Sequence, residues 1–172
     1  MSDELNIRRL IKNTTIKFNL DSSYKQKIII DRKDASKDIR SEECGSNASI
    51  IAKHKDIRND MIALQRNFLK KPGLIADGRD MGTVVFPDSK VKVYLTADIN
   101  VRAKRRYKEL KQKDINVSLA AVLSDMKIRD KQDKERKHGP LIMAHDSVLV
   151  DSTNKSIDTV VSEILKYYEK MY

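Results

Sequence analysis

A single cysteine, Cys44, stands among 172 residues. No intrachain disulfide and no cysteine-based metal site can therefore form. Histidine is almost as scarce: His54, His138 and His145 are scattered and have no ligand spacing, so no metal-binding set is expected. Tryptophan is absent and aromatics make up 5 %, against a hydrophobic share of 40 %. The core must then be built mostly from Ile, Leu, Val and Met. No apolar run approaches the ~18 residues of a membrane span. The N-terminus also lacks the pattern of a signal peptide. The chain reads as soluble and cytoplasmic, with no membrane partner.

Charge is abundant. Charged residues are 35 % of the chain, and 35 Lys and Arg oppose 25 Asp and Glu for a net +10. Such a balance suggests an anionic partner: nucleic acid, an anionic membrane surface or a phosphorylated small molecule. A Lys-rich solvated surface would give the same count. The arginines say more, because bidentate phosphate binding favours Arg over Lys. The length suits one domain with a small subdomain.

Taken in order, residues 14–20 alternate at period two, Asp21-Ser22-Ser23 offers a turn, and residues 27–31 form a second strand candidate. A small, half-exposed antiparallel sheet is expected. From about Ser46 to Lys71 the apolar residues Ile50, Ile57, Met61, Leu64 and Phe68 recur at helical spacing. Residues 74–77 read as a buried strand, 91–96 as a second and 147–151 as a third. Asp98 caps a predicted helix running to about Lys113, and Ser118 caps another. A last helix carries Ile157, Val160, Val161, Ile164, Leu165 and Tyr168 on one stripe, expected to face the core. Strands alternating with helices predict an α/β domain on a parallel sheet.

Three groups of residues could carry chemistry. Arg79-Asp80 follows the first buried strand, with Gly82 two residues on; charged residues at the carboxyl end of a strand sit where open α/β sheets bind ligands. The pair could equally be a surface turn. On the helix opened by Ser118, the stripe Leu119, Val122, Leu123, Met126 continues at the same spacing into Arg129, Asp133 and Arg136. Either the helix outruns the core, or this half faces a polar cleft. Arg102, Arg105 and Arg106 share a face at spacings of three and four, where like charges repel. Solvent screens them, or an anion lies between them.

At this point the residues become familiar. The run LIADGRDMGTVVFPD (74–88), with RAKRRYKEL (102–110), IRDKQDKER (128–136) and VLVDST (148–153), resembles the bacterial cytidylate kinase family in order and spacing. The resemblance implies transfer of the ATP γ-phosphoryl group to CMP or dCMP, with Mg²⁺. It implies a P-loop nucleoside monophosphate kinase-like parallel sheet with flanking helices plus a small antiparallel β insert. Residues 1–50 would be the monophosphate-binding insert, and 51–172 the kinase core with a lid around 114–140. By the same resemblance Arg79 grips the monophosphate and Asp80 the sugar. Arg129 and Arg136 reach phosphate from the lid side, with Asp133 on the sugar or a partner Arg. Ser49 and Arg58 contact the cytosine base, and Arg102, Arg105 and Arg106 lie on the ATP side.

One departure stands out. The family opens with a strand and a G-x-x-x-x-G-K-[ST] loop. This chain has five glycines, and none is followed by Lys. The expected sheet is therefore incomplete, its first strands missing, so that the strands near Leu74 and Val91 flank unpaired backbone groups. A separately encoded N-terminal segment would be a partner. Two other readings stand beside the kinase: a remnant that binds CMP without turnover, and a basic nucleic-acid-binding protein. The last is weakened by the lack of aromatics among the basic residues, and no nucleic acid is expected as partner.

Overall fold

The computed structural model describes residues 2–23 and 25–172, which divide into two compact units, Met1–Ile75 and Ala76–Tyr172.

The first unit joins a helical pair to a small sheet. Helix α1 (Ser2–Asn13) was not foreseen from the sequence; it packs against α3 (Lys55–Arg66), where Arg8 Nε donates to Asp60 Oδ2 at 2.6 Å. Strands β1 (Ile16–Leu20) and β2 (Gln26–Ile30) pair antiparallel from Ile16↔Ile30 to Leu20↔Gln26, as the alternation predicts. Asp21 holds the turn by accepting from the Ser23 and Lys25 amides at 2.8 and 2.9 Å, an Asx arrangement. β3 (Lys33–Asp34) adds a third strand through a two-residue turn with Asp31 and Arg32 at φ 47° and 72°. The helix expected over 46–71 is two helices, α2 (Glu42–Ile51), capped by Ser41, and α3, with a break at residues 52–54. Gly45, Ser46, Asn47 and Ser49 make α2 a weak helix former, so propensity does not carry one helix across both segments.

In the second unit β4 (Val93–Thr96) and β5 (Val148–Asp151) pair in parallel, Val93↔Val148 to Thr96↔Asp151. Between them run α4 (Ile99–Gln112) and α5 (Leu119–Glu135). Asp98 accepts from the Asn100 and Val101 amides, and Ser118 from Ala121, so both predicted caps are in place. Ala103, Leu110 and Val122 form the buried centre, with Val117, Leu123 and Met126 packed against it. The chain is thus α/β, with a small antiparallel sheet and a separate parallel one.

Two expectations fail here. Residues 74–77 form no strand, and Ile75 is fully exposed at 101 %. A strand needs a ladder, and the sheet of this unit pairs β4 only with β5. The apolar stripe of α6 (Ile157–Glu169) is not buried: Ile157 is 82 % exposed, Leu165 52 % and Val161 47 %. A sheet of two strands is too narrow to cover it.

Candidate active site

The site is built on a tight turn. Just after the exposed 74–77 segment the chain winds into one π turn, Met81–Val85. The Asp80 carbonyl accepts from the Thr83, Val84 and Val85 amides at 3.3, 2.9 and 3.2 Å, and the Phe86 amide donates to the Met81 carbonyl at 2.7 Å. Such turns are rare and cluster at functional positions. Here the winding buries Val85 and leaves Asp80 only 6 % exposed, beside an Arg79 side chain that is 56 % exposed.

Facing this turn is the polar half of α5. Arg79 Nε donates to Asp133 Oδ2 at 2.9 Å. Arg136 lies with Nη2 3.7 Å from Asp80 Oδ1 and Nη1 3.8 Å from Asp133 Oδ1, while its Nε donates to the Gly139 carbonyl. Two guanidinium groups and two carboxylates therefore interlock, drawn from segments 54 residues apart. Burial pushes the Arg136 guanidinium down from its usual value; the Asp133 charge opposes this, and Arg79 adds a like-charge push downward. The interruption of the apolar stripe on α5 is thus explained: Val122, Leu123 and Met126 pack on the core, and two turns further along the helix Asp133 meets Arg79. Arg129, exposed on α5, is one turn before Asp133.

The α4 arginines are differently placed. Arg102 grips Asp130 through both terminal nitrogens, at 3.2 and 2.6 Å, and donates from Nε to the Ala97 carbonyl at 3.1 Å. Arg105 donates to Ser152 Oγ and carbonyl, at 3.1 and 2.7 Å, and Arg106 to Glu109 at 2.7 Å. Their mutual repulsion is relieved by partners within the protein, a solution that spacing alone did not suggest. The Arg102 bond holds the Asp130 carboxyl below its usual range, while Asp130 raises Arg102. Arg58 is half-buried on α3, and Ser49 belongs to α2, both in the first unit; the Ser49 side chain lies outside the described residues.

Lys92 and Asp146 escaped the sequence reading. Lys92, 7 % exposed, donates from Nζ to Asp146 Oδ2 at 2.6 Å and to the Pro87 carbonyl. The available signal was a lysine between Val91 and Val93 in a run otherwise fit for a buried strand. Among the described residues no group of three or more His, Cys, Asp or Glu could hold a metal ion. Nor is any helix there long and apolar enough to cross a membrane.

The α/β fold thus brings two arginines and two carboxylates from distant segments onto one tight turn. Comparison with known proteins gives the family. The cytidylate kinase family model matches residues 1–170. A cytidylate kinase of Nitrosomonas europaea is 42 % identical over 168 residues, covering 98 % of this chain and 73 % of the relative. One of Aeromonas salmonicida is 44 % identical over 161 residues, 94 % and 70 % of the two chains. One of Pseudomonas aeruginosa is 44 % identical over 150 residues, 87 % and 66 %. The chain belongs to the cytidylate kinase family, and it spans 66–73 % of the length of these three relatives.

Proposed function

We propose that this protein acts as a nucleoside monophosphate kinase, moving the γ-phosphoryl group of ATP to CMP or dCMP to give CDP or dCDP. The observation that carries this is the interlocked set Arg79, Asp80, Asp133 and Arg136, in a chain of the cytidylate kinase family. Phosphoryl transfer asks little covalent chemistry of a protein; it needs positioning and neutralisation of charge on the moving group. Arg79 takes the acceptor phosphate bidentately, exchanging Asp133 for it. Arg136 and Arg129 bring further positive charge from α5. Asp80 and Asp133 hold these arginines and accept from the sugar hydroxyls. Closure of residues 114–140 keeps water from competing as acceptor.

Arg102, Arg105 and Arg106 belong to the donor side in this reading, holding the frame against which ATP is placed. Mg²⁺ is the ion expected with ATP. The described residues hold no carboxylate cluster of their own for it. Ser49 and Arg58 are assigned to the cytosine base by family resemblance. A further part of the proposal is a segment supplying the G-x-x-x-x-G-K-[ST] loop and a strand against β4. It is supported by the pairing of β4 with β5 alone among the described residues.

The test is a coupled ADP-release assay with ATP and CMP, run with and without a separately supplied segment carrying that loop. Turnover that depends on CMP supports the proposal, and dependence on the added segment supports its last part. CMP binding without turnover in either arm would leave a binding protein and not an enzyme. Calorimetry with CMP, AMP and UMP checks the base: CMP is expected to bind best, and equal affinity for all three would remove the cytosine assignment.

A further inference from the structure

The arginine cluster depends on where the Arg79-Asp80 turn is held. Residues 74–77 that lead into it lie outside any strand. What lies against it is Lys92. The Lys92 stem crosses Gly82 so closely that a Cβ at that glycine would stand 3.3 Å from Cδ and 3.4 Å from Cγ. Its Nζ reaches the Pro87 carbonyl, beyond the other end of the π turn. The same side chain thus touches both flanks of Met81–Val85. Lys92 is itself tied down, since its carbonyl accepts the Val148 amide at 2.9 Å where β5 begins, and its ammonium bonds Asp146 at 2.6 Å.

We propose that Lys92, backed by Asp146, is a positioning residue that fixes the Arg79-Asp80 turn for binding of the monophosphate. A buried ammonium is costly to keep among apolar neighbours, and Lys92 stands between Val91 and Val93 just before β4. What an apolar residue cannot do is hold the Pro87 carbonyl and Asp146 at once. Gly82 fits the same account: a Cβ there would crowd the Lys92 stem. The Asp146 carboxyl, held below its usual range first by the Lys92 bond, stays ionised and keeps the tie closed at neutral pH. The clamp rests on the kinase reading for its ligand, but not for its action on the turn.

The experiment compares wild type with Lys92→Met, which keeps the stem and removes the donor, and with Lys92→Arg. Amide exchange is read at Thr83, Val84, Val85 and Phe86, and CMP affinity by calorimetry. Lys92→Met is expected to speed exchange at these four amides while leaving α4 and α6 unchanged, and to weaken CMP about ten- to hundredfold, with Lys92→Arg recovering part of both. Unchanged exchange at the turn would overturn the inference. So would a lower melting temperature with CMP affinity intact, which is what a merely structural ion pair predicts. If wild type fails to bind CMP, the kinase reading falls, and the exchange data still decide whether Lys92 holds the turn. Should Lys92→Met not fold, Asp146→Asn takes its place, with the same two measurements deciding in the same way.

Discussion

Two sets of arginines lie in the second unit, and they differ less in number than in what they are bonded to. Arg102 and Arg105 are engaged through several nitrogens at 2.6–3.2 Å, on an acidic side chain, a hydroxyl and backbone carbonyls. Arg79 is bonded to Asp133 through Nε with more than half its side chain in solvent, and Arg136 stands 3.7–3.8 Å from its carboxylates. A bidentate guanidinium at ordinary bond lengths gains little from a new anion, because it must first give up its old one. A guanidinium held at longer range, and already destabilised by burial, gains more. A cluster of arginines therefore marks an anion site only where its hydrogen-bonding capacity is left over for a ligand.

Substitutions can break that contrast. The largest effect is expected from Arg79→Ala, which should weaken CMP binding by up to about two orders of magnitude, since a hydrogen bond to a charged group contributes about 1.5–3 kcal/mol. Unchanged affinity in calorimetry would move the site elsewhere. Asp130→Ala should instead lower the melting temperature by a few degrees, a loss of about 1 kcal/mol, with CMP affinity within about threefold of wild type; tighter ATP binding in this variant would mean that Arg102 had been held back from a ligand.

Acid sharpens the same distinction. The folded Asp130 carboxyl titrates below its reference value, so its contribution is present above the usual carboxylate range and drains as pH falls through the lower folded value. Denaturant unfolding of wild type at about pH 5 and about pH 3 should therefore lose more stability than Asp130→Asn does over the same interval. The smallest effect belongs to Glu109→Gln, beside Arg106 on an exposed helix face. It should cost at most about 0.5 kcal/mol, and less in high salt.

What could be read from the residues alone was whatever is settled within a few residues of itself. Asp98 and Ser118 are caps because a short polar side chain reaches amides two and three residues on. The β1–β2 hairpin follows from its own alternation and the Asp21 turn. The meeting of Asp133 and Arg136 with the Arg79-Asp80 turn was legible for a related reason: the apolar stripe of α5 breaks at a fixed spacing, and the break falls where these residues stand. Features settled by distant partners were not legible. Leu74-Ile75-Ala76 has the composition of a buried strand but no ladder to join, and the α6 stripe is amphipathic without a surface wide enough to cover it. Asp130 as the partner of Arg102, 28 residues away, and Asp146 as that of Lys92, 54 residues away, are choices among many carboxylates that only the folded chain makes.

The hairpin between β2 and β3 bears on how this protein could change. Both of its turn residues, Asp31 and Arg32, sit at left-handed φ. Asp31 is suited to that, and its carboxylate also accepts the Thr15 amide at 2.8 Å. Arg32 has no such reason to be there, and a side chain with a Cβ in this region costs on the order of 1–2 kcal/mol. Arg32→Gly should raise the denaturant midpoint by part of that amount, the rest being lost to the freer unfolded chain. The turn is thus a store of unused stability, at a place that takes no part in the arginine cluster, on which costlier changes at that cluster could draw.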